Sequence, residues 1–117
     1  MEDIRLKTVD FEFEGHHYNL CCNMNVLADV QEAYDGNLVR ALDTARGLRG
    51  TLTFLSAMLR DAADTQGMHG DEVGTITPRE LGRRMTLDQT LEAGQRIFPL
   101  IYDALPHAEK QDESEKN

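Results

Sequence analysis

At 117 residues, with a net charge of −9 and a pI near 4.7, the chain has the size of one domain that buries roughly two-thirds of its unfolded surface. Hydrophobic residues make up 40%, with four Phe, three Tyr and no Trp, so the predicted core is mainly aliphatic. The acidic balance argues against phosphate backbones and anionic lipid as partners, and no apolar run approaches bilayer-spanning length.

The charged start MEDIRLK does not read as a secretory signal, so a soluble cytosolic protein is expected. Next, Val9, Phe11 and Phe13 alternate with Asp10, Glu12 and Glu14, the period of a half-buried strand. Tyr18, Leu20 and Cys22 alternate likewise with His17, Asn19 and Cys21. A type II′ turn at Gly15-His16 would pair Phe13 with Tyr18, Phe11 with Leu20, and Val9 with Cys22, giving a hairpin over about 9–22. All six apolar side chains then share one face, with Glu14 opposite His17 on the other. A lone hairpin is marginally stable in water, so its apolar face must lie on the helices that follow.

The adjacent Cys21 and Cys22 cannot readily bridge each other. Neighbouring Cα atoms are about 3.8 Å apart, below the usual disulfide range of roughly 4.4–6.8 Å. Two reduced thiols fit a reducing compartment. His16, His17, Cys21 and Cys22 are residue types that zinc prefers. The strand register separates them, however, with Cys22 facing inward and His17 and Cys21 outward, and His69 and His107 stand alone. No metal ligands are assigned.

The rest reads as helix. Asn23 or Asn25 can cap a helix whose stripe is Val26, Leu27, Val30, Ala33 and Tyr34. Gly36, after Asp35, suits a left-handed stop. Leu38, Val39 and Leu42 form a short second stripe, followed by a basic connection over Ala45-Arg46-Gly47-Leu48-Arg49-Gly50. A third helix, over about Thr51–Thr65, carries Leu52, Leu55, Met58, Leu59 and Ala62, with Phe54 widening the stripe, and is expected to be the most buried.

Gln66–Thr77 is Gly-rich and aperiodic, hence a loop. Thr77-Pro78-Arg79-Glu80 then combines a cap, a Pro at the first helical position and a capping-box Glu. The short helix it opens carries Leu81 and Met85. A second capping box, Thr86 to Gln89, starts a helix with Leu87, Leu91, Gly94, Phe98, Ile101 and Leu105 on one face and Ile97 alongside. Pro99 should kink it. The fold class is therefore mainly α. About five helices and an N-terminal hairpin form one domain over 1–105, and residues 106–117 are a disordered acidic tail.

No reaction chemistry emerges. Gly67, Gly70 and Gly74 lack the Gly-Lys-Ser/Thr of a phosphate loop. Asp61, Asp64, Asp71 and Glu72 lack EF-hand spacing, and Ser56 and Ser114 sit in no nucleophile motif. Catalytic, cofactor-binding and metal residues are all assigned as none, and no enzyme activity is expected. Arg40, Arg46, Arg49 and Arg60, with a second group at Arg79, Arg83 and Arg84, offer contacts for an acidic partner or another copy of the chain. Exposed ion pairs of this kind usually contribute little. Met24, Met58, Met68 and Met85 can line an adaptable groove or simply fill a core.

The order of motifs carries a resemblance. Phe11, Phe13 and Gly15 precede Tyr18 and Leu20; Val26, Leu27 and Val30 lead to Tyr34, Gly36-Asn37-Leu38 and Leu42; Leu55, Met58 and Leu59 follow, then Thr77 to Leu81. Over residues of about 8–105 this resembles the tail assembly chaperones of long-tailed bacteriophages and prophages. The basic connection and the Gly-rich Gln66–Thr77 segment match no part of that pattern. The resemblance implies a small acidic protein that binds the tape-measure protein, keeps it soluble and helps recruit tail-tube subunits. It also implies absence from the finished virion and, in many members, a longer frameshifted product. A tape measure is a long helical chain with apolar stripes, which a helix-in-groove contact would shield. The hairpin face or the Leu52–Ala62 helix is expected to expose part of that groove. The competing readings are an acidic inhibitor or DNA mimic acting on a basic host site, and a structural tail component.

Overall fold

The computed structural model describes residues 6–68 and 76–106. Two antiparallel strands come first, β1 (Thr8–Phe13) and β2 (His16–Cys21). Five helices follow among the described residues: α1 (Met24–Ala33), α2 (Leu38–Asp43), α3 (Leu48–Thr65), α4 (Pro78–Arg84) and α5 (Leu87–Asp103). The mainly α class, the helix number and the N-terminal hairpin agree with the sequence pattern. The expected tail from 107 onward and residues 69–75 of the expected loop lie outside the described residues.

The hairpin differs from expectation in register. Phe13 pairs with His16, Phe11 with Tyr18 and Val9 with Leu20, and Glu12, not Glu14, stands opposite His17. The turn residues are Glu14 and Gly15, both at positive φ (52° and 85°). This is the type I′ pattern, which places Gly at the second central position where the II′ turn would place it first. The two registers differ by two residues, so the parity of every side chain is retained. Phe13, Tyr18, Leu20 and Cys22 are buried as expected, and Val9 and Phe11 pack against them.

Asn23 caps α1 by accepting from the Val26 N–H at 2.9 Å, and Val26 and Val30 become fully buried. The chain leaves α1 through Asp35 and Gly36, both left-handed (φ 55° and 86°). In α2 the inward position belongs to Ala41, while Val39 is 68% exposed.

Helix α3 is the centre of the molecule. Every residue from Gly50 to Leu59 is buried, the property of a helix surrounded on all sides. The hairpin, α1, α4 and α5 all pack on it, and α2 packs on α1. The helix begins at Leu48, three residues earlier than expected, with Gly47 as its cap. Leu48-Arg49-Gly50 is thus its first turn rather than a connection. A Cβ on Gly50 would stand 2.1 Å from the Thr44 carbonyl oxygen and 2.9 Å from the Ala45 Cα, so α3 can start here only because this residue is Gly. The buried hydroxyls on α3 are paired locally. Thr51 donates to the Ala45 carbonyl at 3.1 Å, Thr53 donates to the Arg49 carbonyl at 2.7 Å, and Ser56 accepts from Arg60 at 3.0 Å.

Both predicted helix starts at Thr77 and Thr86 are present. Thr77 accepts from the Glu80 N–H, but the expected reciprocal bond is absent because Glu80 instead engages Arg83 and Arg84. Thr86 and Gln89 form the complete box, with bonds of 3.2 and 2.9 Å. Helix α5 continues through Pro99, but it is rotated from its expected seating. Its buried face is Thr90, Ala93, Gly94, Ile97, Leu100 and Ile101, whereas Leu87 and Leu91 are 59% and 52% exposed. The small residues Ala93 and Gly94 let α5 approach α3 closely: a Cβ on Gly94 would lie 3.5 Å from the Thr51 methyl.

Candidate functional site

The His and Cys residues that suggested a metal are separated by the fold. His17 Nδ1 lies 3.0 Å from an Asp10 carboxylate oxygen across the hairpin. That hydrogen bond, helped by the negative charge of Asp10 and then of Glu12, raises the imidazole pKa. Cys22 is buried, and loss of hydration pushes its thiol up to about 12. Cys21 is raised too, first by burial and then by the charge of Asp61. Neither thiol has the lowered pKa of a reactive nucleophile. Among the described residues, no group of three His, Cys, Asp or Glu side chains is placed to hold a metal ion.

The acidic residues are likewise dispersed. Asp61 accepts from the Asn23 side chain at 2.7 Å, while Asp71 and Glu72 lie outside the described residues. The methionines do not line one groove. Met58 is fully buried, Met24 is 76% exposed, and Met68 and Met85 pack at the margin of the core.

The arginines divide by role. Arg60 donates to the Ile76 carbonyl at 2.8 Å and to Ser56, and lies 3.7 Å from Asp29. It therefore fastens the chain entering α4 to α3 and α1. Arg46 lies over the Phe98 ring, 4.8 Å from its centroid, a cation–π arrangement. Arg84 reaches Glu14 at the hairpin turn, 3.3 Å away, and Glu80 on its own helix. Arg49, Arg79 and Arg83, drawn from both basic groups, border a shallow hollow of about 220 Å³ beside Gly82.

Of the two surfaces expected to expose part of an apolar groove, the α3 side is turned wholly inward and the hairpin face mostly so, with Phe11 half-buried. The Leu52–Ala62 side of α3 is the core itself; on the hairpin, Phe13, Tyr18, Leu20 and Cys22 belong to the core while Val9 and Phe11 pack at its margin. Exposed large apolar side chains occur instead at Leu87 and Leu91, which are spaced i, i+4 on α5, and at Val39, Leu48 and Tyr102.

A concavity of about 430 Å³ runs between β1 and α5. Phe11, Phe13, Met85 and Ala93 supply its apolar surface. Glu12, Glu14, Glu92, Arg84, Arg96 and Gln89 supply the polar one. The hairpin wall of this groove was expected from sequence, but its α5 wall was not, because it depends on a contact between residues 86 positions apart: Arg96 on α5 donates to the backbone carbonyl of Asp10 on β1. Among the described residues no helix is long and apolar enough to cross a membrane. No family model, curated protein or solved structure matches the chain.

Proposed function

We propose that this chain is a tail assembly chaperone of a long-tailed bacteriophage or prophage. In this reading it is a non-enzymatic protein of the host cytoplasm that binds the tape-measure protein, helps recruit tail-tube subunits and is left out of the mature virion. The observation that carries the reading is the order of motifs from Phe11 to Leu81. The fold is compatible with it. Phe13, Tyr18, Leu20, Val26, Val30, Leu55, Met58, Leu59 and Leu81 are all core residues, so the resemblance rests on positions that specify architecture. For the contact itself, the Leu87–Leu91 ridge on α5 is an exposed apolar surface that the sequence reading did not include. Exposed leucines one helical turn apart suit docking against an apolar stripe of a partner helix.

Co-expression with a candidate tape-measure protein tests the proposal. The wild type should raise the soluble yield of the tape measure and co-purify with it. The complex should persist in roughly 1 M salt, where charge contacts are screened beyond about 3 Å. The double substitution Leu87→Asp and Leu91→Asp should abolish co-purification while the fold is retained. No gain in solubility and no co-purification with the wild type would refute the chaperone reading.

A further inference from the structure

The hairpin is a two-stranded sheet with two edges, and the fold treats them differently. The closing pair Phe13–His16 beside a two-residue turn exchanges hydrogen bonds, and pairs alternate from there. The N–H and C=O groups of Asp10 and Glu12 on β1, and of His17 and Asn19 on β2, therefore point outward. On the β2 side two of these four groups are occupied. The Gln66 side-chain amide accepts from the Asn19 N–H at 2.7 Å and donates to the His17 carbonyl at 3.1 Å, as a neighbouring strand would. On the β1 side the sole guard among the described residues is Arg96, which donates to the Asp10 carbonyl. Among the described residues nothing bonds the outward backbone groups of Glu12, an exposed residue beside the 430 Å³ groove.

We propose that the β1 edge is a strand-addition site. It would accept an extended segment of a partner protein in which basic and apolar side chains alternate. Main-chain bonds to Asp10 and Glu12 would supply the pairing. On one side of the added strand, residues would enter the groove over Phe11, Phe13, Met85 and Ala93. Charge selects the other features of the partner. Arg84 is engaged by Glu14 and Glu80, whereas Glu12 and Glu92 form no ion pair among the described residues. Basic side chains flanking the strand answer these two carboxylates. A second copy of this chain is the poorer occupant, because pairing β1 with β1 would set Asp10 and Glu12 against the same carboxylates, and like charges directly opposite are destabilising. Arg96 acts as a displaceable cover: it is exposed and held to the edge by one carbonyl. The inference does not rest on the chaperone reading and holds for any partner carrying such a segment.

The test uses the full chain and two blocked hexapeptides matching the six residues of β1, one alternating Lys and Val and the other alternating Glu and Val. Affinity is read by fluorescence anisotropy and site by amide hydrogen exchange. The Lys/Val peptide should bind and protect the Asp10 and Glu12 amides; the Glu/Val peptide should not bind. Glu12→Pro removes one outward N–H at an edge position where Pro is tolerated, and should weaken binding by at least about tenfold, the equivalent of one good interaction. Glu92→Lys, a surface change on α5, should weaken it comparably without touching the hairpin. Arg96→Ala should bind at least as tightly as wild type. No binding of the Lys/Val peptide would overturn the proposal. So would binding without protection of Asp10 and Glu12, unchanged affinity in Glu92→Lys, or β1 protection arising from self-association alone.

Discussion

Gly50→Ala isolates a single tertiary contact. Ordinarily Gly→Ala inside a helix is favourable by about 1 kcal/mol, because Ala loses less backbone freedom on folding. Here the added Cβ would stand 2.1 Å from the Thr44 oxygen, 2.8 Å from its carbonyl carbon and 2.9 Å from the Ala45 Cα. All three are backbone atoms, so relief requires the α2–α3 connection to move rather than a side chain to rotate. Overpacking of this kind costs about 1–3 kcal/mol, occasionally more. It also threatens the bond from Thr51 to the Ala45 carbonyl. Less the roughly 1 kcal/mol that Ala gains, and with about 0.5–1.5 kcal/mol for the weakened bond, the expected net loss is about 1–3 kcal/mol. Gly82→Ala is the matched control, since its Cβ would meet only the Leu52 Cδ1, at 3.6 Å, and should leave stability unchanged or raise it by up to about 1 kcal/mol. Urea unfolding of both variants, followed by far-UV circular dichroism, reads the difference as midpoints at a common slope. Equal or greater stability of Gly50→Ala relative to wild type would refute the packing argument at the α3 start.

Three further outcomes follow from particular contacts. His17 should titrate above 6.5 by NMR, and Asp10→Asn should bring it back toward that value. Because the folded-state pKa is raised, its contribution to stability is full below the unfolded value near 6.5 and is lost as pH rises through the folded pKa; an unshifted titration would contradict the pairing. A thiol reagent at pH 8 should label Cys21 before Cys22, whose labelling should follow unfolding because it is buried with a pKa near 12; rapid labelling of both would show that Cys22 is accessible. Thr86→Ala removes the complete capping box of α5 and should cost about 0.5–2 kcal/mol by thermal or urea unfolding, with a neutral result counting against the cap.

The groove between β1 and α5 also explains why the hairpin is more than a lid on the core. One face of the hairpin is committed inward through Phe13, Tyr18 and Leu20. Its two edges are managed separately, by Gln66 and by Arg96. Unpaired strand edges invite pairing with other chains, and folds usually cover or charge them. The β1 edge has both features in part: one covering guanidinium and a row of carboxylates. That combination disfavours indiscriminate self-pairing while leaving room for a partner of opposite charge.

Local chemistry fixed much of the architecture. Alternation over Val9–Phe13 and Tyr18–Cys22 determined which side chains of the hairpin turn inward, because a strand's period of two survives a two-residue shift in register. Asn23 or Asn25, Thr77 and Thr86 marked three helix starts, since a side-chain oxygen satisfying a free N–H is a short-range interaction; the fold chose Asn23 for the first. Tertiary structure decided the rest. The turn moved to Glu14-Gly15, and α3 began at Leu48 because Gly50 fits against Thr44 and Ala45. Helix α5 turned its small Ala93 and Gly94 toward α3, leaving Leu87 and Leu91 outside. A hydrophobic stripe states which residues prefer burial, but the face actually buried is the one whose shape permits the closest packing on its neighbour. For the same reason the α5 wall that completes the groove beside β1 was not legible before the chain was folded.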